Sequence, residues 1–391
     1  MIRMIFKAIL VYISILLTRK KEKNCLLVAD FSSYGGTKTY FISLVKYLVS
    51  KNYQVTVLIA LHQISPDILL LQSQYHFNIE ILEFDIWRTR FENPIFTKIN
   101  ETYFIYQINE FLYFSNIIKR LKPALLICST ANPEWLLFLI LFPSRVIYIL
   151  HTVTMDKLDF FKKWILRNLI TKRKKIIVVS NAAKSYLLLN WFNSKDLTNI
   201  HVIYNYYEPD NLLDKKLESI PTVLTIGSTE YYKNPLFWID VCEKVTNHFA
   251  YPVKFVWAGD GSMFEDCKNK TLNLPNIKFI GFTKDTDELY QSASIYFQPS
   301  IYESHGISVL GAMYNAIPCV VSNKGGLVES VVNNETGYIV EIDTIDQSVS
   351  AILSILNDKA LRNHLGLNGY TKFNSTFTKV LWEKKMDKII F

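Results

Sequence analysis

Two successive series of short apolar segments constrain the fold of this chain more than any other feature. In each series, near-continuous apolar stretches of strand length alternate with stretches of helical character. Apolar strands separated by helices are typical of parallel sheets that are buried on both faces. The first series consists of Cys25–Asp30, Val55–Ala60, Ile79–Phe84, Ala124–Cys128, Val146–Leu150, Ile176–Val179 and His201–Tyr204. The second consists of Val223–Ile226, Val253–Ala258, Ile277–Ile280, Ile295–Phe297, Pro318–Val321 and Tyr338–Val340.

A polar segment bounded by proline, Tyr206–Pro221, separates the two series. With 391 residues the chain is long for a single core, so we expect two doubly wound α/β domains facing a cleft. Ligands of such sheets bind at the carboxyl ends of the strands. The expected organisation is a hydrophobic and basic segment at 1–24, one domain at 25–208, a second at 209–375, and a C-terminal helix at 376–391 that packs back on the first domain.

The net charge of +8 comes from 43 basic and 35 acidic residues, but it is unevenly placed. Residues 1–24 carry six basic residues and one acid, and residues 160–175 carry seven basic residues and no acid. Basic segments on an otherwise mildly acidic chain indicate an anionic partner, either a membrane or a nucleic acid. The sequence has no recognisable nucleic-acid-binding motif, which favours the membrane. The five cysteines form no CxxC pair, which is typical of a protein of the reducing cytosol.

Two segments could contact a membrane surface. Met4–Leu17 is apolar but shorter than the roughly 20 residues of a membrane-spanning helix, and no signal-peptide cleavage site follows it. It is either an interfacial anchor or an amphipathic helix packed on the protein itself. Lys157–Lys175 combines an apolar helical face with cations and aromatic residues, as expected of a helix that meets anionic lipid headgroups. A helix with a solvated basic side is the alternative.

The segment Gln298–Gly326 carries the strongest chemical signal. A strand ends at Pro299-Ser300, a short loop contains Glu303, and a helix begins near Gly306. The free N–H groups of a helix start favour an anion such as a diphosphate, and Glu303 can accept hydrogen bonds from hydroxyl groups. Both features together suit a nucleotide-linked sugar, although the same pattern could be an ordinary strand–loop–helix unit.

Weaker signals lie at other predicted strand ends. Lys233 follows the strand Val223–Ile226 and could contact phosphates. The Gly35-Gly36 pair follows the first strand, but its spacing is not that of a nicotinamide or flavin site. His151 directly follows Val146–Leu150. Asp285-Thr286-Asp287 is predicted to begin a helix rather than to bind a metal.

At these motifs the chain resembles the family 4 glycosyltransferases, retaining enzymes of the GT-B fold, from about Cys25 to the C-terminus. Pro299–Met313 resembles the Glu-x7-Glu segment of that family. This sequence also contains the runs FVWAGDGSM, IKFIGFT, and CVVSNKGGLVES with ETGYIV, which come in the order typical of the family. Its first half contains the similar runs VVSNAAK and VIYNYYE. The resemblance implies two Rossmann-like domains, the first binding the acceptor and the second the nucleotide-sugar.

The resemblance also implies site residues. Glu303 and His151 would contact the donor sugar, Lys233 would neutralise the leaving phosphate, and no metal or other cofactor is expected. Retention would follow a front-face displacement, with catalysis by positioning and electrostatics. The implied donor-binding residues are Gly35, Gly36, Ser228, Lys233, Gly281, Phe282, Ser304, His305, Gly306, Ile307 and Ser308.

Two positions depart from the family pattern. Gly311 stands where the second glutamate, the ribose ligand, is expected, and Ser228 replaces an arginine that contacts phosphate. Each loss of a charge-assisted hydrogen bond costs about 1.5–3 kcal/mol. The resemblance implies a metal-independent, hexosyl-type retaining transferase (EC 2.4) that acts on a lipid-linked or polysaccharide acceptor, and the basic segments favour a location at the cytosolic membrane face. A non-catalytic GT-B accessory subunit is the alternative, and a nucleotide-sugar epimerase is a further one that the Glu303 segment disfavours.

Overall fold

The computed structural model describes residues 2–17, 19–31, 35–82, 101–130, 139–152, 173–192, 198–209 and 220–391. The chain forms two compact units, the first being Met1–Val178 with Lys184–His201 and the second Val179–Ala183 with Val202–Phe391. The second unit thus begins slightly before the predicted boundary at 208/209. It also takes in the short segment Val179–Ala183, which the sequence did not predict, and the C-terminal residues. That the residues 376–391 also pack on the first unit stays a prediction.

The first unit contains a seven-stranded sheet with the order β3-β2-β1-β4-β5-β6-β7 in the described residues. Its central strands pair in parallel. The strands are β1 Lys21–Ala29, β2 Gln54–Ala60, β3 Asn78–Leu82, β4 Pro123–Thr130, β5 Arg145–Leu150, β6 Lys174–Val178 and β7 Ile200–Val202. The helices are α1 Ile2–Leu16, α2 Gly36–Ser50, α3 Pro66–Tyr75, α4 Glu101–Leu121 and α5 Asn181–Leu187, the last of which begins in the second unit.

The second unit contains a six-stranded parallel sheet with the order β10-β9-β8-β11-β12-β13. The strands are β8 Thr222–Ile226, β9 Lys254–Ala258, β10 Ile277–Gly281, β11 Ile295–Gln298, β12 Cys319–Ser322 and β13 Gly337–Val340. The helices are α6 Pro235–His248, α7 Phe264–Lys270, α8 Thr286–Ser292, α9 Ile307–Tyr314, α10 Leu327–Ser330, α11 Ile345–Asn357, α12 Lys359–Thr376 and α13 Lys379–Ile390.

The apolar strand runs form the two cores, as predicted. In β1 the residues from Cys25 to Ala29 are buried, and all four residues of β11 are buried. Helices cover the faces of each sheet, which gives the predicted α/β, doubly wound, Rossmann-like architecture in both units. The helix expected at Lys157–Lys175 lies almost wholly outside the described residues, which include only 173–175 of that segment.

In each sheet the order of the strands along the chain reverses at one place. The loops that carry the predicted site residues follow strands on either side of such a reversal. In the second unit the order reverses between β8 and β11, and in the first between β1 and β4. At such a point the loops after the two strands diverge and leave a crevice at the carboxyl ends. Lys233 follows β8 and Glu303 follows β11, so both lie beside the reversal of the second sheet.

Helix α1 has two different faces. Tyr12 packs near Phe111 of α4 and near Phe142, and Ile15 is buried. The other face exposes a row of apolar side chains at helical spacing, Phe6, Ile9, Leu10, Ile13, Leu16 and Leu17. Among the described residues no helix is long and apolar enough to cross a membrane.

Candidate functional site

An ion pair joins the two loops at the reversal point of the second sheet. The Lys233 ammonium group donates to Oε2 of Glu303, and both side chains are largely buried, with exposed fractions of 13% and 14%. Burial alone would lower the pKa of Lys233, but the Glu303 carboxylate and Tyr232 outweigh it and raise the pKa. The structure therefore places a cation and a carboxylate, predicted from separate motifs, at one point.

Gln298, the last residue of β11, also donates to the Glu303 carboxylate. Its Nε2 donates to Glu303 Oε2 at 2.7 Å, while its Oε1 lies 3.0 Å from the hydroxyl of Tyr296. Sequence analysis missed Gln298. The available signal was a polar residue at the end of a buried strand, immediately before the motif. Buried polar side chains are nearly always hydrogen-bonded, so such a residue needs a partner nearby.

The glycine pair Gly325-Gly326 lets a neighbouring loop approach the backbone of Glu303. The Gly326 N–H donates to the Glu303 carbonyl at 2.9 Å. A Cβ at Gly325, whose φ is +57°, would lie 1.9 Å from that carbonyl oxygen, and one at Gly326 would lie 2.2 Å from the Ser304 carbonyl oxygen. Residues with side chains do not fit there, so these glycines hold the Glu303 loop in place.

Helix α9 begins directly after this loop. Gly306 precedes it in the left-handed conformation with φ +81°, and no side chain of the described residues caps the first turn. The N–H groups of Ile307 and Ser308 belong to the part of a helix that lacks intrahelical acceptors. The helix start, the Lys233 ammonium group and the Glu303 carboxylate thus offer an anion site beside a hydroxyl-binding group.

Ser304 and His305, also predicted as donor-binding residues, point into the unit. Ser304 is buried, and its hydroxyl has no hydrogen-bond partner among the described residues. The His305 ring is 1% exposed, stacks on Tyr204 at 5.1 Å and meets Phe377 edge-on. Burial lowers the pKa of His305 to about 4, which keeps the ring neutral. His305 therefore stabilises the Glu303 loop through its ring contacts with Tyr204 and Phe377.

The loop that carries Lys233 is held at several points. The Tyr232 carbonyl accepts from the N–H of Ile301, which ties this loop to the one after β11. Glu230 accepts from the N–H and the hydroxyl of Ser262 at 2.9 and 2.6 Å. Ser228 lies in the same loop, and its hydroxyl is 3.3 Å from that of Tyr232.

Position 311 has no room for a side chain in this structure. A Cβ at Gly311 would lie 2.6 Å from both Cζ and the hydroxyl oxygen of Tyr290. Tyr290 is buried, and its hydroxyl donates to the Ser308 carbonyl at 2.8 Å. The tyrosine thus occupies the space in which a glutamate at 311 would begin.

Two further sequence predictions fall at the same sheet edge. Gly281 ends β10 with φ +72°, and the Phe282 ring beside it is 43% exposed. Their contact with a nucleotide base stays a prediction. Asp285 caps α8, because its carboxylate accepts from the Glu288 N–H. The prediction that this acidic segment begins a helix is confirmed.

The remaining predicted residues lie in the first unit. His151 follows β5, and its Nε2 is 2.8 Å from the hydroxyl of Ser129, near the end of β4. Its ring meets Tyr40 edge-on at 4.6 Å, and burial lowers its pKa to about 4. Gly35, with φ +100°, precedes α2, which begins at Gly36. Contact of these three residues with a donor stays a prediction.

Comparison with known proteins agrees with this geometry. The family profile "Glycosyltransferase Family 4" matches residues 34–211, and "Glycosyl transferases group 1" matches residues 214–372. A UDP-Gal:alpha-D-GlcNAc-diphosphoundecaprenol alpha-1,3-galactosyltransferase of Escherichia coli is 28% identical over 42% of this chain and 43% of its own length. A poly(ribitol-phosphate) alpha-N-acetylglucosaminyltransferase of Staphylococcus aureus is 26% identical over 65% of this chain and 52% of its own length. The chain thus matches about half the length of these relatives.

Solved structures show the fold over nearly the whole chain. A glycosyltransferase from Rickettsia africae ESF-5 superposes with a TM-score of 0.77 over 95% of this chain and 98% of that one, at 19% identity. The two profiles follow one another along the chain and together leave out only its ends and residues 212–213 of the polar segment Tyr206–Pro221. We conclude that the chain belongs to the family 4-like glycosyltransferases of the GT-B fold.

Proposed function

We propose that this protein is a retaining, metal-independent glycosyltransferase that moves a hexosyl-type sugar from a nucleotide donor to a lipid-linked or polysaccharide acceptor. The observation that carries the proposal is the Lys233–Glu303 pair beside the start of α9. It combines a phosphate-binding cation, free helical N–H groups and a carboxylate for hydroxyl groups, all within the second unit.

In the proposed reaction, the bond between the anomeric carbon and the diphosphate oxygen breaks, and the acceptor hydroxyl oxygen bonds to that carbon on the same face. The acceptor proton passes to the departing phosphate oxygen. Negative charge develops on that oxygen, where Lys233 and the N–H groups of Ile307 and Ser308 stabilise it. Glu303, oriented by Gln298, holds the sugar hydroxyls in the reactive position.

The relatives support the choice of acceptor class. The Escherichia coli protein is named for a diphosphoundecaprenol-linked acceptor and the Staphylococcus aureus protein for a poly(ribitol-phosphate). A lipid-linked acceptor lies in a membrane, and we propose that the enzyme acts at its cytosolic face. The exposed apolar row of helix α1 supports contact with a membrane surface. Exposed cations lie within this helix and shortly after it in the sequence, namely Lys7, Arg19, Lys21 and Lys23, and such cations suit an anionic lipid surface.

The test is a transfer assay with a panel of nucleotide-sugars and lipid-linked or glycan acceptors, with and without a metal chelator. We expect transfer from one donor, unchanged by the chelator, and a product whose anomeric configuration by NMR equals that of the donor. An inverted product or a chelator-sensitive reaction would contradict the corresponding part of the proposal.

A non-catalytic accessory subunit is the second candidate, and two observations favour it. Tyr290 fills the space at position 311, and Ser228 stands at the position of the expected arginine. Binding of a nucleoside diphosphate without turnover of any donor in the assay above would support this candidate over the enzyme.

A further inference from the structure

Two hydroxyl groups converge beside Lys233 on the loop that follows β8. The Ser228 hydroxyl and the Tyr232 hydroxyl lie 3.3 Å apart, and the Lys233 ammonium group lies 5.5 Å from the centre of the Tyr232 ring. The Tyr232 side chain is 45% exposed, so a ligand can reach it. The hydrogen bond from Ile301 to the Tyr232 carbonyl keeps this residue at the reversal point of the sheet.

The charge at this point is small for a diphosphate. Each phosphate group of a nucleotide-sugar carries a negative charge, whereas the Lys233 ammonium group is already paired with Glu303. Further donors are therefore needed where the phosphates meet this loop. Hydroxyl groups are suitable because each donates one hydrogen bond to a phosphate oxygen without adding charge.

We propose that Tyr232, together with Ser228, binds the donor diphosphate through hydroxyl hydrogen bonds and so supplies a phosphate contact that a charged side chain does not supply here. The inference rests on the proposed function, since it concerns the same donor site. Tyr232 is then a donor-binding residue. Its phenolic O–H group increases the affinity for the donor, while its ring packs against Lys233.

The test measures the Kd of a panel of nucleoside diphosphates by calorimetry for the full chain and for Tyr232→Phe. The phenylalanine keeps the ring beside Lys233 and removes only the hydroxyl group. Because a hydrogen bond to a charged phosphate oxygen is lost, we expect the Kd of the bound nucleoside diphosphate to rise about tenfold or more. The matched control is Tyr231→Phe, because Tyr231 lies on the same turn and is 74% exposed. The Kd of this variant for the nucleoside diphosphate should equal that of the unmodified protein.

Ionic strength separates the hydroxyl contact from an indirect effect on Lys233. The affinity loss of Lys233→Gln should shrink as salt is raised, because salt screens a charge contact. The loss in Tyr232→Phe should stay constant, and adding Ser228→Ala to Tyr232→Phe should cost less than the sum of the single changes. An equal Kd for Tyr232→Phe and the unmodified protein would overturn the inference alone. If the unmodified protein bound no nucleoside diphosphate, both the inference and the proposed function would be wrong.

Discussion

At the scale of single residues, the site depends on contacts between positions far apart in sequence. Glu303 receives hydrogen bonds from Lys233 and from Gln298, and its backbone carbonyl accepts from Gly326. The sequence predicted Glu303 and Lys233 separately from local motifs. It could not predict that they pair, because the pairing follows from the adjacency of β8 and β11 in the sheet.

Glu303→Gln tests the role of the carboxylate at this scale. The amide retains the size of the side chain but removes a charged hydrogen-bond acceptor, so we expect the rate of sugar transfer to fall about 10- to 100-fold. The same change releases Lys233 from its counter-ion, so the Kd of the nucleoside diphosphate product should stay equal or decrease. The control is Glu341→Gln, because Glu341 follows β13 and lies outside the loops that follow β8 and β11. A parallel loss of transfer and of nucleotide affinity would contradict the assigned role.

Gly311→Ala tests the packing at the position that departs from the family pattern. The added Cβ would lie 2.6 Å from the buried Tyr290 ring, and overpacking of this kind costs about 1–3 kcal/mol. We expect a lower apparent melting temperature. Gly369→Ala in α12 is the matched control, because its Cβ would meet no atom closer than 3.8 Å and alanine favours a helix. Equal melting temperatures for the two variants would show that the space at position 311 is open.

At the scale of elements, Glu329 in α10 holds the start of α5. Its carboxylate accepts from the N–H groups of Asn181 and Ala182 at 2.9 and 2.7 Å and from the Tyr204 hydroxyl at 2.9 Å. Burial alone would raise the pKa of Glu329, but these hydrogen bonds lower it. Both N–H groups belong to the Val179–Ala183 segment, so this carboxylate joins that segment to α10 within the second unit.

The lowered pKa of Glu329 gives a pH dependence of stability. A carboxyl group whose pKa is lower in the folded state stabilises the protein above the ordinary pKa, and this contribution is lost as the pH falls through the folded-state value. We expect Glu329→Gln to lower the apparent melting temperature by about 2 °C at pH 7. The difference from the unmodified protein should shrink towards pH 3. Glu265→Gln, at an exposed site, should show a smaller effect, and a difference independent of pH would contradict this account.

The exposed face of α1 gives a second prediction at this scale. Leu10→Glu with Ile13→Glu places two acids on the apolar row, and we expect these changes to abolish sedimentation with anionic liposomes. Leu367→Glu, which adds an acid at an exposed apolar site in the second unit, should sediment like the unmodified protein. Unchanged sedimentation of the α1 variant would show that this helix packs on the protein and does not bind the lipid surface.

At the scale of the whole molecule, the sequence predicted the architecture well because parallel strands leave a local signature. Near-continuous apolar runs such as Val55–Ala60 and Val253–Ala258 became β2 and β9 with bounds shifted by a residue. The hydrogen bonds between Val179–Ala183 and Glu329 could not be predicted, because the partners lie far apart along the chain. Gln298 was missed although its position at the end of β11 was a local signal, because its bond to Glu303 is visible only in the structure.

The central claim is that the Lys233–Glu303 site binds and turns over a nucleotide-sugar. The most direct measurement is the release of nucleoside diphosphate from a panel of nucleotide-sugars, compared between the unmodified chain, Glu303→Gln and Lys233→Gln. We predict that one donor is consumed by the unmodified protein and that both variants release nucleotide at least about tenfold more slowly. Consumption of a donor at equal rates by all three proteins, or of no donor by any of them, would contradict the claim.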